Sequence, residues 1–471
     1  MKLGALTGGD EAAIVTGFAI DHRKVAPGTI FGAFRGARVN GEDFIADAVR
    51  SGAIAIVAAP DAHVDGALHI ADPSPRERFA RAAAQFFAPF PATAVAVTGT
   101  NGKTSTVEMA RQLWRMAGHH AASIGTLGVT TSDERVTTGL TTPDVVTFLS
   151  NVAGLAREGV THVAFEASSH GLCQYRTEGL PVTAAAFTNL SRDHLDYHGD
   201  MGAYLTAKLR LFSEVLAPDG TAVVWADDPY SARVIDLARA RGNRLLTVGA
   251  NGTALRLIDR APTLLGQVLT IEADGETHRV ALPLIGGYQA ANALVAAGLM
   301  IATGGDTAAT LHATSRLQPV PGRLERATIT RRGAPVYVDY AHTPDALEAA
   351  IAALKPHAAG RLIVVFGAGG DRDAGKRGAM GQVAATQADV VIVTDDNPRT
   401  ENPAAIRRAV LDGANGAREI GDRREAIGAA IAQAEAQDIV LIAGKGHERG
   451  QIVGDFVLPF DDVAVARECA A

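Results

Sequence analysis

Residues Thr98-Gly99-Thr100-Asn101-Gly102-Lys103-Thr104-Ser105 constrain the fold more than any other stretch of this chain. An apolar run from Ala92 to Val97 leads into them, and an amphipathic stretch from Ser105 to Ala117 follows. That order reads strand, tight glycine loop, helix, a unit that commits the chain to α/β layers. In such a loop, backbone N–H groups face an anion and the helix N-terminus adds positive potential. Lys103 would meet the outer phosphates of a nucleotide, and the Thr104 hydroxyl would reach a Mg²⁺ ion. A standard phosphate loop carries Gly five residues before its Gly-Lys pair, where this chain has Val97, so the loop is a shorter variant. The bland alternative is a strand–helix turn with no ligand. Strand, glycines, Lys and Thr all fall in order, which favours nucleotide binding.

Bulk properties exclude several classes. At 471 residues the chain is too long for one core, so two to four domains are expected. A net charge of −7 argues against a nucleic-acid binder. Cys173 and Cys469 lie far apart and make no disulfide framework, which fits a reducing cytoplasm. The N-terminus shows no basic-then-apolar signal segment, and no run of about 18 apolar residues marks a membrane span. Arg greatly outnumbers Lys. Only seven lysines occur, and four of them, Lys103, Lys208, Lys376 and Lys445, sit in Gly- or acid-rich clusters. In a chain so biased, a remaining Lys marks a place where a point charge or a titratable amine matters; chance placement is the alternative.

Three blocks emerge: 1–91, 92–316 and 317–471. The first has short β-like runs (Thr29–Phe34, Ala53–Ala58) and ends at Ala88-Pro-Phe-Pro91, a plausible linker. The second alternates helices with candidate strands Thr93–Val97, His162–Phe165, Ala184–Thr188 and Thr221–Trp225. The third begins near Leu317–Arg323 and has candidate strands Val336–Val338, Leu362–Phe366, Val390–Thr394 and Ile439–Ile442. Such alternation implies parallel sheets covered on both faces. Nearly every unusual polar cluster directly follows a strand: Thr98–Ser105, Glu166–His170, Asn189–His198, Asp339–Pro344, Gly367–Arg377, Asp395–Glu401 and Gly444–Glu448. Ligands of open α/β sheets bind at the carboxyl ends of strands, so two loaded edges predict a cleft between two domains.

The residue types in those clusters limit the chemistry. Glu166, His194 and the Thr104 hydroxyl suit Mg²⁺ beside phosphates. Arg399, in Asp395-Asp396-Asn397-Pro398-Arg399, offers a guanidinium fork for a ligand carboxylate. Glu448 could face a ligand amine. Together the third-block loops suit a zwitterionic amino acid. Nothing resembles a Ser-His-Asp set, and Cys173 near His170 and His194 is a weak thiol alternative.

On Gly99–Thr104, Glu166–Gly171, Thr188–Gly199, Asp339–Asp345, Gly369–Asp373, Asp395–Arg399 and Gly444–Glu448, in this order, the chain resembles the Mur ligases, ATP-dependent amino-acid-adding enzymes of peptidoglycan synthesis. The likeness covers essentially the whole chain and leans to the members that add meso-diaminopimelate. It implies three α/β domains: a small UDP-binding N-terminal domain (1–91), a central P-loop ATPase-type parallel sheet (92–316) and a Rossmann-like C-terminal amino-acid-binding domain (317–471). The implied reaction phosphorylates the D-glutamyl side-chain carboxylate of UDP-N-acetylmuramoyl-L-alanyl-D-glutamate, and the incoming amine attacks the acyl phosphate. By the same resemblance, Gly99 to Ser105, Asn292, Arg323 and Asp339 would contact ATP. Ile20, His22, Thr141, Thr142, Ser168, Gln174 and Arg176 would contact the UDP-muramoyl peptide. Arg372, Asp396, Asn397, Pro398, Arg399, Gly444 and Glu448 would form the diaminopimelate pocket. Lys103, Glu166, His194 and Lys208 would be catalytic. Lys208 would be carbamylated to N6-carboxylysine and join Thr104, Glu166 and His194 around Mg²⁺; unmodified, it would be an ordinary helix-surface lysine. The implied enzyme is a cytoplasmic monomer with small-molecule substrates only. The first block departs from the pattern: Asp21-His22-Arg23 stands where the family has Asp-Ser-Arg, and Ala37-Arg38-Val39 also differs, with Arg38 placed to compensate by pairing with phosphate. The rival class is a P-loop ATPase switch, which would need neither acid/Arg loop of the third block.

Overall fold

The computed structural model describes residues 1–471 except 37, 38, 133, 138, 264 and 265. Three large sheets follow one another along the chain. The first has four parallel strands in sequence order, Gly17–Ala19, Thr29–Gly32, Ala53–Ala58 and Leu68–Ala71. Helix Pro75–Phe87 starts on a proline, whose missing N–H has no partner to lose in a first turn. It buries Phe79 against Phe18 and Phe34, with ring centroids 5.2 and 5.4 Å apart. Residues 88–91 are without regular structure and lead to the second sheet.

The second sheet has eleven strands. Six parallel strands form its centre, in the order Arg244–Gly249, Leu216–Trp225, Val182–Phe187, Thr93–Thr98, His162–Glu166 and Ala121–Gly125. Strand Thr93–Thr98 is buried from Ala94 onward, the unbroken apolar run of a strand covered on both faces. Helices Lys103–Met116 and Gly287–Ala302 pack together over one face. The expectation of parallel sheets holds throughout the first sheet and, in the second, for this centre and the adjoining strand Leu255–Thr263. Antiparallel strands extend it on both sides: Gly266–Ala273 and Glu276–Leu282, reached through the parallel strand Leu255–Thr263, and Gly128–Thr130 with Arg135–Val136. Asp274 and Gly275 join one of these hairpins with φ of 51° and 80°, the paired positive φ that a tight hairpin turn requires.

The third sheet runs in the order Glu325–Ile329, Pro335–Asp339, Ile439–Ala443, Leu362–Phe366, Val390–Val393, Arg418–Glu419; only the first pairing is antiparallel. Leu362, Val364 and Phe366 pack beneath helices Pro344–Leu354 and Lys376–Gln387, whereas Ile363 and Val365 face helices Arg423–Gln433 and Asp462–Ala470, the two-residue alternation of a strand. A separate hairpin, Gly450–Val453 with Phe456–Pro459, projects from this domain and exposes Phe456, Val457 and Leu458. No helix among the described residues is long and apolar enough to cross a membrane.

Candidate active site

Three polar clusters of the second block lie side by side because their strands are neighbours. Val97 pairs with Glu166, and Thr98 with Phe187, so the glycine loop, Glu166 and Thr188 emerge together at one sheet edge. The loop is stitched to the segment after Phe187. Asn189 accepts at Oδ1 from Asn101 N–H (2.9 Å) and at its carbonyl from Thr100 N–H (2.9 Å), while Thr188 Oγ1 donates to Asn101 O (2.6 Å). Two glycines allow this closeness. A Cβ at Gly99 (φ +149°) would collide with Thr188 Oγ1, and one at Gly102 (φ +87°) with Asn292 Oδ1. Helix Lys103–Met116 begins two residues earlier than the periodicity predicts, because Gly102 in the left-handed region turns the chain into it.

Lys103 donates to Gly99 O (2.9 Å) and Thr100 O (2.8 Å), and no carboxylate pairs with it among the described residues. Burial lowers its pKa. Lys208, expected at the surface unless modified, is instead 1% exposed. It reaches Gly99 O from behind the loop (2.7 Å) and lies over the Tyr204 ring at 4.3 Å. Burial, aided by the nearby Lys103 charge, pushes its amine well below the usual lysine range. The Glu166 carboxylate accepts from Thr126 N–H (2.7 Å) and Thr126 Oγ1 (3.2 Å). His194 holds φ at +55°, a costly conformation for a residue with a side chain, and burial lowers its pKa. Its ring stands 4.9 Å from that of His170, whose pKa falls to about 4, chiefly by burial.

A cavity of about 590 Å³ opens above the loop, with walls from both large domains. Its floor is Thr100, Asn101, Gly102, Lys103, Thr104 and Ser105; Thr141, Glu166, His194, Asn292, Arg323 and Asp339 also line it. Arg323 stacks over Tyr340 (4.5 Å) and donates to Thr104 Oγ1 (3.2 Å), a contact that spans the two domains. Asp339 serves the loop around it: its carboxylate accepts from Leu324 N–H (2.6 Å), Ala341 N–H (2.8 Å) and Tyr288 OH (3.4 Å). Burial raises its pKa. The sequence reading missed Trp225, Asp228 and Tyr288 in the lining, whereas His342 lies there as a member of the Asp339–Pro344 strand-end cluster; Trp225 and Asp228 could have been found by extending the strand-end rule one strand further. Thr104 and Glu166 offer oxygen donors within this one cavity, a set that suits Mg²⁺ because that ion takes one or two protein ligands and completes its shell from phosphates.

Thr142, Ser168, Gln174 and Arg176 form a connected chain beside it. Thr142 Oγ1 donates to Ser168 Oγ (2.9 Å), Arg176 donates to Thr142 O (2.6 Å) and to Gln174 Oε1 (2.8 Å), and Thr141 Oγ1 meets Thr126 Oγ1 at 3.1 Å. Ile20 and His22 are not part of this network. His22 stacks flat on Phe44, centroids 4.4 Å apart, in the first domain. Arg38 lies outside the described residues. Cys173 is no thiolate candidate, since burial raises its pKa.

The third-block residues gather at adjacent strand ends in a cluster of their own. Asn397 Nδ2 donates to Glu448 Oε2 (2.8 Å), Arg399 donates to Gly370 O (2.7 Å), and Arg399 holds φ at +52°. A Cβ on Gly444 (φ +113°) would meet Asp396 Oδ2 at 2.5 Å, and one on Gly369 would meet Arg399 Nη1 at 2.9 Å. Pro398 keeps the turn, and Arg372 stands beside Gly369, 3.9 Å from that same Cβ. Arg423, held in a buried pair with Asp462 (2.7 Å), supports both flanking loops by donating to Asp395 O and Ala443 O.

Comparison with known proteins agrees with this geometry. The Mur ligase middle domain matches residues 97–300, the Mur ligase glutamate ligase domain 322–446, and the Mur ligase family catalytic domain 14–113. A UDP-N-acetylmuramoyl-L-alanyl-D-glutamate--2,6-diaminopimelate ligase of Zymomonas mobilis is 61% identical over 96% of this chain and 94% of its own. The ligase of the same name from Bradyrhizobium diazoefficiens is 53% identical over 98% and 97%. A solved structure of a ligase of that name aligns with 100% of this chain and 98% of its own, at 34% identity and a TM-score of 0.74. A MurF ligase from Thermotoga maritima in complex with ADP shares the fold at 20% identity, a TM-score of 0.63, and 93% and 96% coverage. On its fold, its domain matches and these relatives, the chain belongs to the Mur ligase family.

Proposed function

We propose that this chain is an ATP-dependent ligase that joins meso-2,6-diaminopimelate to the D-glutamyl side chain of UDP-N-acetylmuramoyl-L-alanyl-D-glutamate in peptidoglycan synthesis. The observation that carries the reading is the pairing of two loaded strand-end clusters: a phosphate-loop cavity walled by both large domains, and an Asn-Arg-Glu cluster in the third. The names of relatives up to 61% identical support the substrates. The three sheets support a division into a UDP domain (1–91), an ATP domain (92–316) and an amino-acid domain (317–471).

In this reading the N–H groups of Gly99 to Ser105 and the Lys103 ammonium grip the ATP phosphates. Asn292, Arg323 and Asp339 shape the rest of the nucleotide cavity. Thr141, Thr142, Ser168, Gln174 and Arg176 orient the muramoyl peptide so that its carboxylate meets the terminal phosphate in line, and Ile20 and His22 hold the uridine end. Fixed cations do most of the work, because phosphoryl transfer chiefly needs positioning and charge neutralisation. Thr104, Glu166 and the neutral imidazole of His194 would hold Mg²⁺, which when bound neutralises phosphate charge. Lys208 suits carbamylation: burial and the nearby Lys103 charge disfavour its ammonium form, and a free amine adds CO₂, releasing a proton and leaving an anion beside Lys103. Protein incubated with ¹³C-bicarbonate is expected to show one carbamate carbon resonance that Lys208→Ala lacks; its persistence in that variant refutes the assignment. The unpaired Cys173 and Cys469 support a cytoplasmic setting, and a monomer suffices because every residue invoked belongs to one chain.

Supplied with ATP, the UDP-dipeptide and diaminopimelate, the enzyme is expected to form one amide and one phosphate per ATP consumed. ATP consumption without a new amide would contradict the proposal and favour the ATPase switch.

A further inference from the structure

Lys445 is a buried cation, 0% exposed, inside the third-domain cluster. Its ammonium donates to Asn397 Oδ1 (3.0 Å), Glu448 Oε2 (3.2 Å) and Gly450 O (2.6 Å). An ammonium has three donors and no acceptor, so the group is saturated and touches no ligand. Its effect passes to its neighbours. Asn397 Oδ1 also accepts from Ile452 N–H (3.0 Å), which turns the Asn397 amide nitrogen toward Glu448 Oε2 at 2.8 Å. Glu448 Oε2 thereby takes two donors, while Oε1 has no hydrogen-bond partner among the described residues, and the side chain is 32% exposed. One carboxylate oxygen is spoken for and the other is left open.

The same ammonium, through Gly450 O, fixes the root of the projecting hairpin. That hairpin's Ile452 carbonyl accepts from Arg399 N–H (3.0 Å), and Arg399 O accepts from Gly454 N–H (2.7 Å). Lys445 thus sits behind both Glu448 and the Arg399 backbone. A guanidinium could not substitute: five donors facing three acceptors would leave buried N–H groups unsatisfied. This is a physical reason for Lys in a chain that otherwise prefers Arg.

We propose that Lys445 is a positioning residue for amino-acid recognition. It locks Asn397 and Glu448 so that Glu448 Oε1 meets the far ammonium of the incoming amino acid while Arg399 meets its far carboxylate. The inference rests on the ligase reading above. The test is steady-state kinetics on the full-length wild type, Lys445→Met, Lys445→Gln and Lys445→Arg, with thermal melts to establish folding. Lys445→Met is expected to raise KM for diaminopimelate by at least about thirtyfold, with KM for ATP nearly unmoved and kcat changed far less. Lys445→Gln keeps two donors without the charge and should shift KM in the same direction, while Lys445→Arg should not restore it. A merely structural role predicts the opposite split, a lower apparent kcat from lost folded enzyme with KM for diaminopimelate unchanged. That pattern in whichever neutral variant folds overturns the proposal. A wild type that forms no amide with diaminopimelate overturns the ligase reading itself, a distinct result.

Discussion

Replacing Lys103 with Ala is expected to lower kcat by roughly a hundred- to a thousandfold while the protein still melts cooperatively. Nothing in the fold depends on the Lys103 charge: its two contacts are loop carbonyls, Gly99 O and Thr100 O, and no carboxylate holds it among the described residues. A cation whose hydrogen bonds go only to backbone carbonyls, with the Glu166 and Asp193 charges nearby, is poised to exchange those carbonyls for phosphate oxygens. Substitution would remove the positive charge just as negative charge redistributes in the transition state. Single-turnover phosphate release beside a thermal melt checks this. A folded Lys103→Ala enzyme with wild-type turnover would refute the phosphate assignment.

Arg399→Ala is expected to weaken diaminopimelate use by about 2–5 kcal/mol, read from KM, and to erase any preference for diaminopimelate over lysine. The two amino acids differ by one carboxylate. Arg399 spends Nη1 on Gly370 O and Asn397 O, whereas its Nε and Nη2 have no hydrogen-bond partner among the described residues. That open side of the fork fits a carboxylate bidentately. The backbone at φ +52° shows the surroundings forcing the residue into place. Arg399→Lys, which keeps the charge but loses the fork, separates geometry from charge and should recover only part of the affinity. Unchanged KM in both variants would rule out the clamp.

Much of this site was legible in the sequence because strand ends are. Glycine loop, Glu166 and Thr188 each follow an apolar run, and parallel pairing of those runs carries them to one edge. The buried place of Lys208 was also within reach. Tyr204, Ala207, Lys208 and Leu211 repeat at helical spacing, and all four are buried. What the pattern leaves open is whether a Lys on an apolar stripe snorkels outward or turns in, and that is decided by Gly99 O, 109 residues away in sequence. The antiparallel extensions were signalled only by Asp274-Gly275 between alternating runs. His22 stacking on Phe44 and the Arg323–Thr104 contact were beyond reach, since both depend on how distant segments meet.

The central claim is that one domain activates a carboxyl group and its neighbour supplies the amine. The most direct measurement starts from UDP-dipeptide carrying ¹⁸O in both oxygens of the D-glutamyl side-chain carboxylate, reacted with ATP and diaminopimelate. An acyl phosphate keeps one of those oxygens bonded to phosphorus when the amine displaces the phosphate. Released phosphate carrying one ¹⁸O per new amide is the expected result; amide formed with unlabelled phosphate would contradict the account.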